Sequence, residues 1–189
     1  MKTALITGAH GFLGRHTARV FSGNDCRVIG IGHGEWGFED PRDFGIEKWI
    51  EADVDFAALA GIGERLDYII HCAGGSSVGY SVQFPEQDFY RTVGTTVAVL
   101  EYARLHQPQA RIVYPSSAAV YGAQDDRPIS AAAQPSPFSP YGFHKRMAEE
   151  LCTSYARNFS LGVAIVRLFS VYGSGLKKQL LWDACVKLS

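Results

Sequence analysis

A chain of 189 residues and 20.7 kDa is long enough for one domain with a real core and short for a second lobe of similar size. Hydrophobic residues at 47% and charged residues at 20% argue against both a disordered chain and a membrane-embedded one. A formal charge of −1 supplies no broad basic field, so neither nucleic acid nor a lipid surface is an expected partner.

In chain order, short β-rich runs cover Ala4 to Ile6, Arg27 to Ile31, Trp49 to Ala52, Tyr68 to Ile70, Ile112 to Tyr114 and Val163 to Leu168. Helical patterns fall between them at about 12–22, 86–106 and 141–158. That alternation predicts an α/β fold: a doubly wound parallel sheet with helices on both faces, joined by right-handed crossovers. Between about Ala123 and Pro140 the prolines 128, 135, 137 and 140 exclude regular helix or a central strand. An ordered loop over the site is expected there. A last amphipathic stretch runs from about Leu176 to Leu188.

The stretch between Lys2 and Gly8 is too brief for a signal sequence, and no apolar run approaches a membrane span. A cytoplasmic location is expected. Cys26, Cys72, Cys152 and Cys185 are scattered, with no Cys-x-x-Cys pair and no histidine cluster. They read as buried free thiols, and no metal site is expected.

Gly8, Gly11 and Gly14 stand where the first strand meets the first helix. Gly8 suits a tight turn, Gly11 lets backbone approach a pyrophosphate, and Gly14 lets the helix pack closely on the sheet. Amides at the helix start would then meet the phosphates, so the pattern points to a dinucleotide. After Ile31, Gly32 and His33 offer no carboxylate to grip a ribose.

Tyr141 and Lys145 open a helix just after Pro140 and share one face, a single turn apart. A phenol with a pKa near ~10 is a poor base at neutral pH, but a neighbouring ammonium and an oxidised nicotinamide both favour the phenolate. Tyr141 would then take a proton from a substrate hydroxyl.

The spacing Thr7-Gly8-x-x-Gly11-Phe12-x-Gly14 resembles the short-chain dehydrogenase/reductase superfamily, in particular its extended branch acting on sugar nucleotides. Further matches follow in order: Asp53-Val54, His71-Cys72-Ala73-Gly74, Ser116-Ser117 through Val120-Tyr121-Gly122, Tyr141 with Lys145, and Arg167 to Gly173. The resemblance implies a Rossmann-type dinucleotide-binding domain over 1–170, with 171–189 as the start of a truncated substrate-binding lobe. It implies a nicotinamide cofactor against Gly8, His10, Gly11, Phe12, Leu13, Gly14, Gly32, His33, Asp53, Val54, Cys72, Ala73, Gly74 and Ser116, besides Tyr141 and Lys145. Relatives with a small residue at Gly32 often take NADP. His33, Arg15 or Arg19 would then receive its 2′-phosphate, so the cofactor is NAD or NADP, with NADP favoured. His71 is expected to be mainly structural.

Catalysis, by the same resemblance, falls to Ser117 orienting the reacting oxygen, Tyr141 as base and then acid, and Lys145 on the cofactor ribose. The implied activity is epimerisation of a nucleotide-activated sugar through a transient keto-sugar. An NADPH-dependent keto-sugar reductase and a non-catalytic cofactor-binding or scaffold protein are the alternatives. Ala118 and Ala119 stand where dehydratases carry acidic residues, which disfavours dehydration. Thr92 and Ser170 replace asparagines of the pattern and shorten both polar side chains. Helices containing Val97 to Tyr102 and Met147 to Tyr155 imply a homodimer through a four-helix bundle.

Overall fold

The computed structural model describes residues 1–124, 128–176 and 179–188. Six strands form one sheet: β1 (Lys2–Thr7), β2 (Cys26–Gly32), β3 (Lys48–Glu51), β4 (Tyr68–His71), β5 (Arg111–Ser117) and β6 (Gly162–Leu168). Their order is β3-β2-β1-β4-β5-β6 and every pairing is parallel, with Leu5 beside Ile29 and Ile69. The order reverses at β1 and β4, and the crevice beyond their carboxyl ends is where such sheets hold ligands.

Alternation along β1 divides the core between the two faces. Leu5 joins Ile29, Leu100, Tyr102, Ile112 and Ala148 on one side; Ile6 joins Ala18, Val28, Phe44 and Ile70 on the other. The first side is covered by α2 (Phe56–Ala60), α5 (Thr95–His106) and α6 (Pro140–Phe159), the second by α1 (Phe12–Ser22). Ser139 caps α6, its side chain accepting the Gly142 amide at 3.1 Å, and Pro140 fills the first helical position.

The single helix expected at 86–106 is instead α4 (Pro85–Phe89), a π turn over Tyr90–Gly94, and α5. The π turn inserts an extra residue and rotates the buried face, so Thr92 and Val93 are buried beside Thr96 and Val99. Four short elements among the described residues were not anticipated: 3-10 turns at Pro41–Phe44 and Ala118–Val120, α2, and α3 (Val78–Gln83). The final stretch forms α7 (Gln179–Leu188); Lys177 and Lys178 of that expectation, Asp125 to Arg127 of the loop, and Ser189 lie outside the described residues.

All four cysteines are free thiols, but the expectation that they are buried holds only for Cys152; Cys26 and Cys72 are partly covered and Cys185 is exposed on α7. Among the described residues no helix is long and apolar enough to cross a membrane.

Candidate active site

β1 ends at Thr7 and α1 begins at Phe12, so the glycine segment turns the chain at the edge where strand order reverses. Gly8 takes φ +64, and a Cβ there would lie 2.7 Å from the Ala73 amide nitrogen. A Cβ on Gly14 would run into the Gly8 carbonyl and lie 2.6 Å from Ala9 Cα. Position 14 must therefore be bare for α1 to sit against the turn. Gly11 caps α1 with no side-chain bond, and the first turn carries no acidic residue. Amides at the positive end of the helix are left for an anion, which fits a pyrophosphate.

Every residue assigned above to cofactor or catalysis, other than Arg15 and Arg19, lines one crevice of ≈ 1070 Å³. Gly8 to Gly14 form its floor; Gly32, His33, Asp53 and Val54 lie toward one end, and Cys72 to Gly74, Ser116, Ser117, Tyr141 and Lys145 toward the other. Sequence reasoning missed Gly75, Ser76, Val78, Arg91, Thr95, Pro115 and Leu176, which also line it. Arg91 enters because the π turn carries it to the rim, where its guanidinium lies 4.8 Å from the Tyr80 ring.

At the Tyr141 end, the Ser117 hydroxyl accepts the Ala119 amide at 3.2 Å, capping the 3-10 turn at Ala118–Val120. Ser116 Oγ is buried without a protein partner. Lys145, only 7% exposed, donates from Nζ to the Pro115 carbonyl at 3.1 Å and lies 5.9 Å from the Tyr141 ring centre. Burial pulls its pKa down to about 8, against the charges of Cys72, Asp88 and Glu149. Burial also pushes the Tyr141 phenol up; a hydrogen bond with Ser117 pulls it back and the Asp88 carboxylate adds to the rise. In the protein alone, desolvation is the largest influence on the phenol and opposes the phenolate.

His71 bridges structure rather than chemistry. Its Nδ1 is 2.7 Å from Thr7 Oγ1, its Nε2 is 3.2 Å from Thr96 Oγ1, and Thr7 Oγ1 also accepts the Ala73 amide. The ring pins β4 to β1 directly beneath the Gly8 turn.

Comparison with known proteins bears on this arrangement. The model of the NAD dependent epimerase/dehydratase family matches residues 4–182. The chain belongs to that family. It is 31% identical over 190 residues to UDP-arabinose 4-epimerase 1 of Arabidopsis thaliana, covering 93% of this chain and 44% of that protein. It is 32% identical over 184 residues to UDP-glucose 4-epimerase of Streptomyces lividans, covering 95% and 55%. The crystal structure of UDP-glucose 4-epimerase from Brucella ovis in complex with NAD superposes with a TM-score of 0.81 at 28% identity, covering 90% of this chain and 52% of that one. The chain spans about half the length of these relatives.

For a member of the epimerase/dehydratase family, the far end of the crevice bears on the choice of cofactor. Of the three side chains considered for a 2′-phosphate, only His33 lines the crevice, and its Nε2 donates to Asp53 Oδ1 at 2.7 Å. Arg15 is held by Glu39 at 2.6 Å and the His10 carbonyl at 2.7 Å, and stacks 4.9 Å from Trp36. Arg19 lies over Phe44 at 4.4 Å. The preference for NADP loses its basis, because these side chains are already engaged and a carboxylate stands beside His33, the one that lines the crevice.

Proposed function

We propose that this chain forms the cofactor-holding and catalytic part of an NAD-dependent epimerase acting on a nucleotide-activated sugar. The observation that carries the reading is the convergence of Ser117, Tyr141 and Lys145 with the Gly8 to Gly14 cradle on one crevice. The matched relatives, named as UDP-sugar 4-epimerases, support the substrate class. NAD is favoured over NADP by the His33–Asp53 pairing and by the NAD-bound neighbour.

The cradle amides would hold the pyrophosphate and Lys145 the nicotinamide ribose; when bound, NAD supplies a hydride acceptor that later becomes the donor. Ser117 orients the sugar hydroxyl, its oxygen fixed by the Ala119 amide. Tyr141 takes the hydroxyl proton as the carbonyl forms, and returns it when the keto-sugar is reduced on its other face. The positive charge of oxidised nicotinamide would offset the desolvation that disfavours the Tyr141 phenolate. Residues 171–189 would open the sugar-binding lobe. Val97, Leu105, Met147 and Phe159, exposed on α5 and α6, suit a homodimer through these helices; a monomeric mass by light scattering at micromolar concentration would count against it.

The test is to identify the cofactor extracted from the purified protein and then supply UDP-, GDP- and dTDP-sugars. Epimers interconverting with no added redox reagent are expected, and Tyr141→Phe should slow them about 10²–10⁴-fold with cofactor still bound. Consumption of added NADPH would favour the keto-sugar reductase instead, and cofactor binding with no turnover in any sugar would favour a binding protein.

A further inference from the structure

Beside Lys145 lies a buried hydrogen-bonded pair that the reaction above does not use. His144 Nδ1 donates to Asp88 Oδ2 at 2.7 Å, and the Asp88 side chain is fully buried. The imidazole is also held edge-on by Phe89, ring centres 5.5 Å apart. The other carboxylate oxygen, Asp88 Oδ1, is buried with no protein partner. Leaving half a carboxylate unsatisfied in an interior costs enough that packing alone does not account for it.

The surroundings of that oxygen lead to the catalytic lysine. A Cβ on Gly75 would collide with Asp88 Oδ1 and lie 3.0 Å from Thr92 Oγ1, which accepts the Gly75 amide at 2.9 Å. A Cβ on the neighbouring Gly74 would lie 3.8 Å from both Thr92 Oγ1 and Lys145 Nζ. Asp88 on α4 therefore packs closely against Gly75, while Thr92 of the π turn and Lys145 on α6 lie near Gly74, the two glycines that wall the crevice. His144 precedes Lys145 on the same helical turn, so the His144–Asp88 bond fixes the segment that carries both Tyr141 and Lys145. The Asp88 charge is felt at both groups: it works against the burial that lowers Lys145, and it adds to the rise at Tyr141.

We propose that Asp88, clamped by His144, is a positioning residue that seats Lys145 against the Gly74-Gly75 wall for the cofactor ribose. This role rests on the cofactor reading above. Because Asp88 acts through Lys145, its loss should matter only while Lys145 is present.

A double-mutant cycle on NADH affinity, read by nicotinamide fluorescence in the full chain, tests this without requiring turnover. Asp88→Leu should weaken NADH about tenfold in the wild-type background and less than about twofold in a Lys145→Met background. Asp88→Asn, which keeps an acceptor for His144, should return affinity to within about threefold of wild type. A merely structural Asp88 would lower the unfolding midpoint and weaken binding equally in both backgrounds; that additive result, or an Asn variant as weak as the Leu variant, overturns the proposal. If Asp88→Leu does not fold, His144→Leu enters the same cycle with the same expectation. No NADH bound by wild type, or no effect of Lys145→Met, would instead bring down the cofactor reading on which the role rests.

Discussion

Arg167 on β6 grips Glu149 on α6 with two parallel bonds, Nε to Oε1 at 2.9 Å and Nη2 to Oε2 at 2.7 Å. The Glu149 side chain is 8% exposed and the Arg167 side chain 19%, and the guanidinium also lies 4.5 Å from the Tyr121 ring. The carboxylate raises the Arg167 pKa above its already high value, so the cation is permanent. This pair ties the last strand of the sheet to the helix that carries Tyr141 and Lys145.

Removing one partner leaves a mostly buried charge alone, and partial exposure of Arg167 softens the penalty. Glu149→Ala should cost about 2–3 kcal/mol in a urea unfolding experiment. A loss below about 0.5 kcal/mol would mean that solvent screens the pair and that β6 is held by its ladder alone.

The glycine cradle gives a second expectation. Gly8→Ala places a side chain at φ +64 and drives Cβ to 2.7 Å from the Ala73 amide nitrogen, in the segment after β4. Strain of the left-handed conformation contributes about 1–2 kcal/mol, and the contact adds to it. Unfolding should become easier by about 2–4 kcal/mol, with NADH affinity reduced at least about tenfold as the amides shift. A Gly8→Ala protein of wild-type stability and affinity would contradict the geometry of the turn.

Much of this was legible because each signal was local. Three glycines spaced for a turn, a proline before Tyr141, and β-rich runs in alternation with helical patterns each depend on a few neighbouring residues, and the six strands, the glycine cradle and the start of the Tyr141 helix followed from them; the rest of the assigned crevice, from Asp53 to Ser117, came from the family resemblance. What escaped was set by packing or by short elements. α2 and α3 have five and six residues, too few to show a helical period; their only marks were the caps Asp55 and Ser77. The π turn at Tyr90–Gly94 interrupts the 3.6-residue period that made 86–106 look like one helix. Engagement of Arg15 and Arg19 by Glu39, Trp36 and Phe44 depends on a loop whose course no local pattern fixes, and it removed the argument for NADP.

That loop leads to a prediction on cofactor choice. The Asp53 carboxylate beside His33 would repel a 2′-phosphate while still accepting from a ribose hydroxyl. NADH should therefore bind at least about tenfold tighter than NADPH in parallel fluorescence titrations. Asp53→Asn should narrow that ratio by freeing His33. Tighter binding of NADPH by wild type would reverse the assignment.

His71 makes the acid stability of the fold predictable. It is 2% exposed between Thr7 and Thr96, and burial, aided by the Lys145 charge, lowers its pKa from 6.5 to about 3. Between those values the unfolded chain binds a proton that the native ring refuses, so stability rises with pH and is lost as pH falls. Each unit corresponds to about 1.4 kcal/mol, which gives a loss of about 2 kcal/mol between pH 6.5 and about pH 5, before most carboxylates titrate. His10, lowered by burial and then by Arg15, acts in the same direction. His71→Gln should lower stability at neutral pH, since it disturbs the Thr7 and Thr96 bonds, yet flatten the slope over this interval. Urea midpoints measured across it provide the check: a variant that keeps the full wild-type slope would assign the acid sensitivity to another group and leave His71 without the neutral, buried state that its two threonines imply.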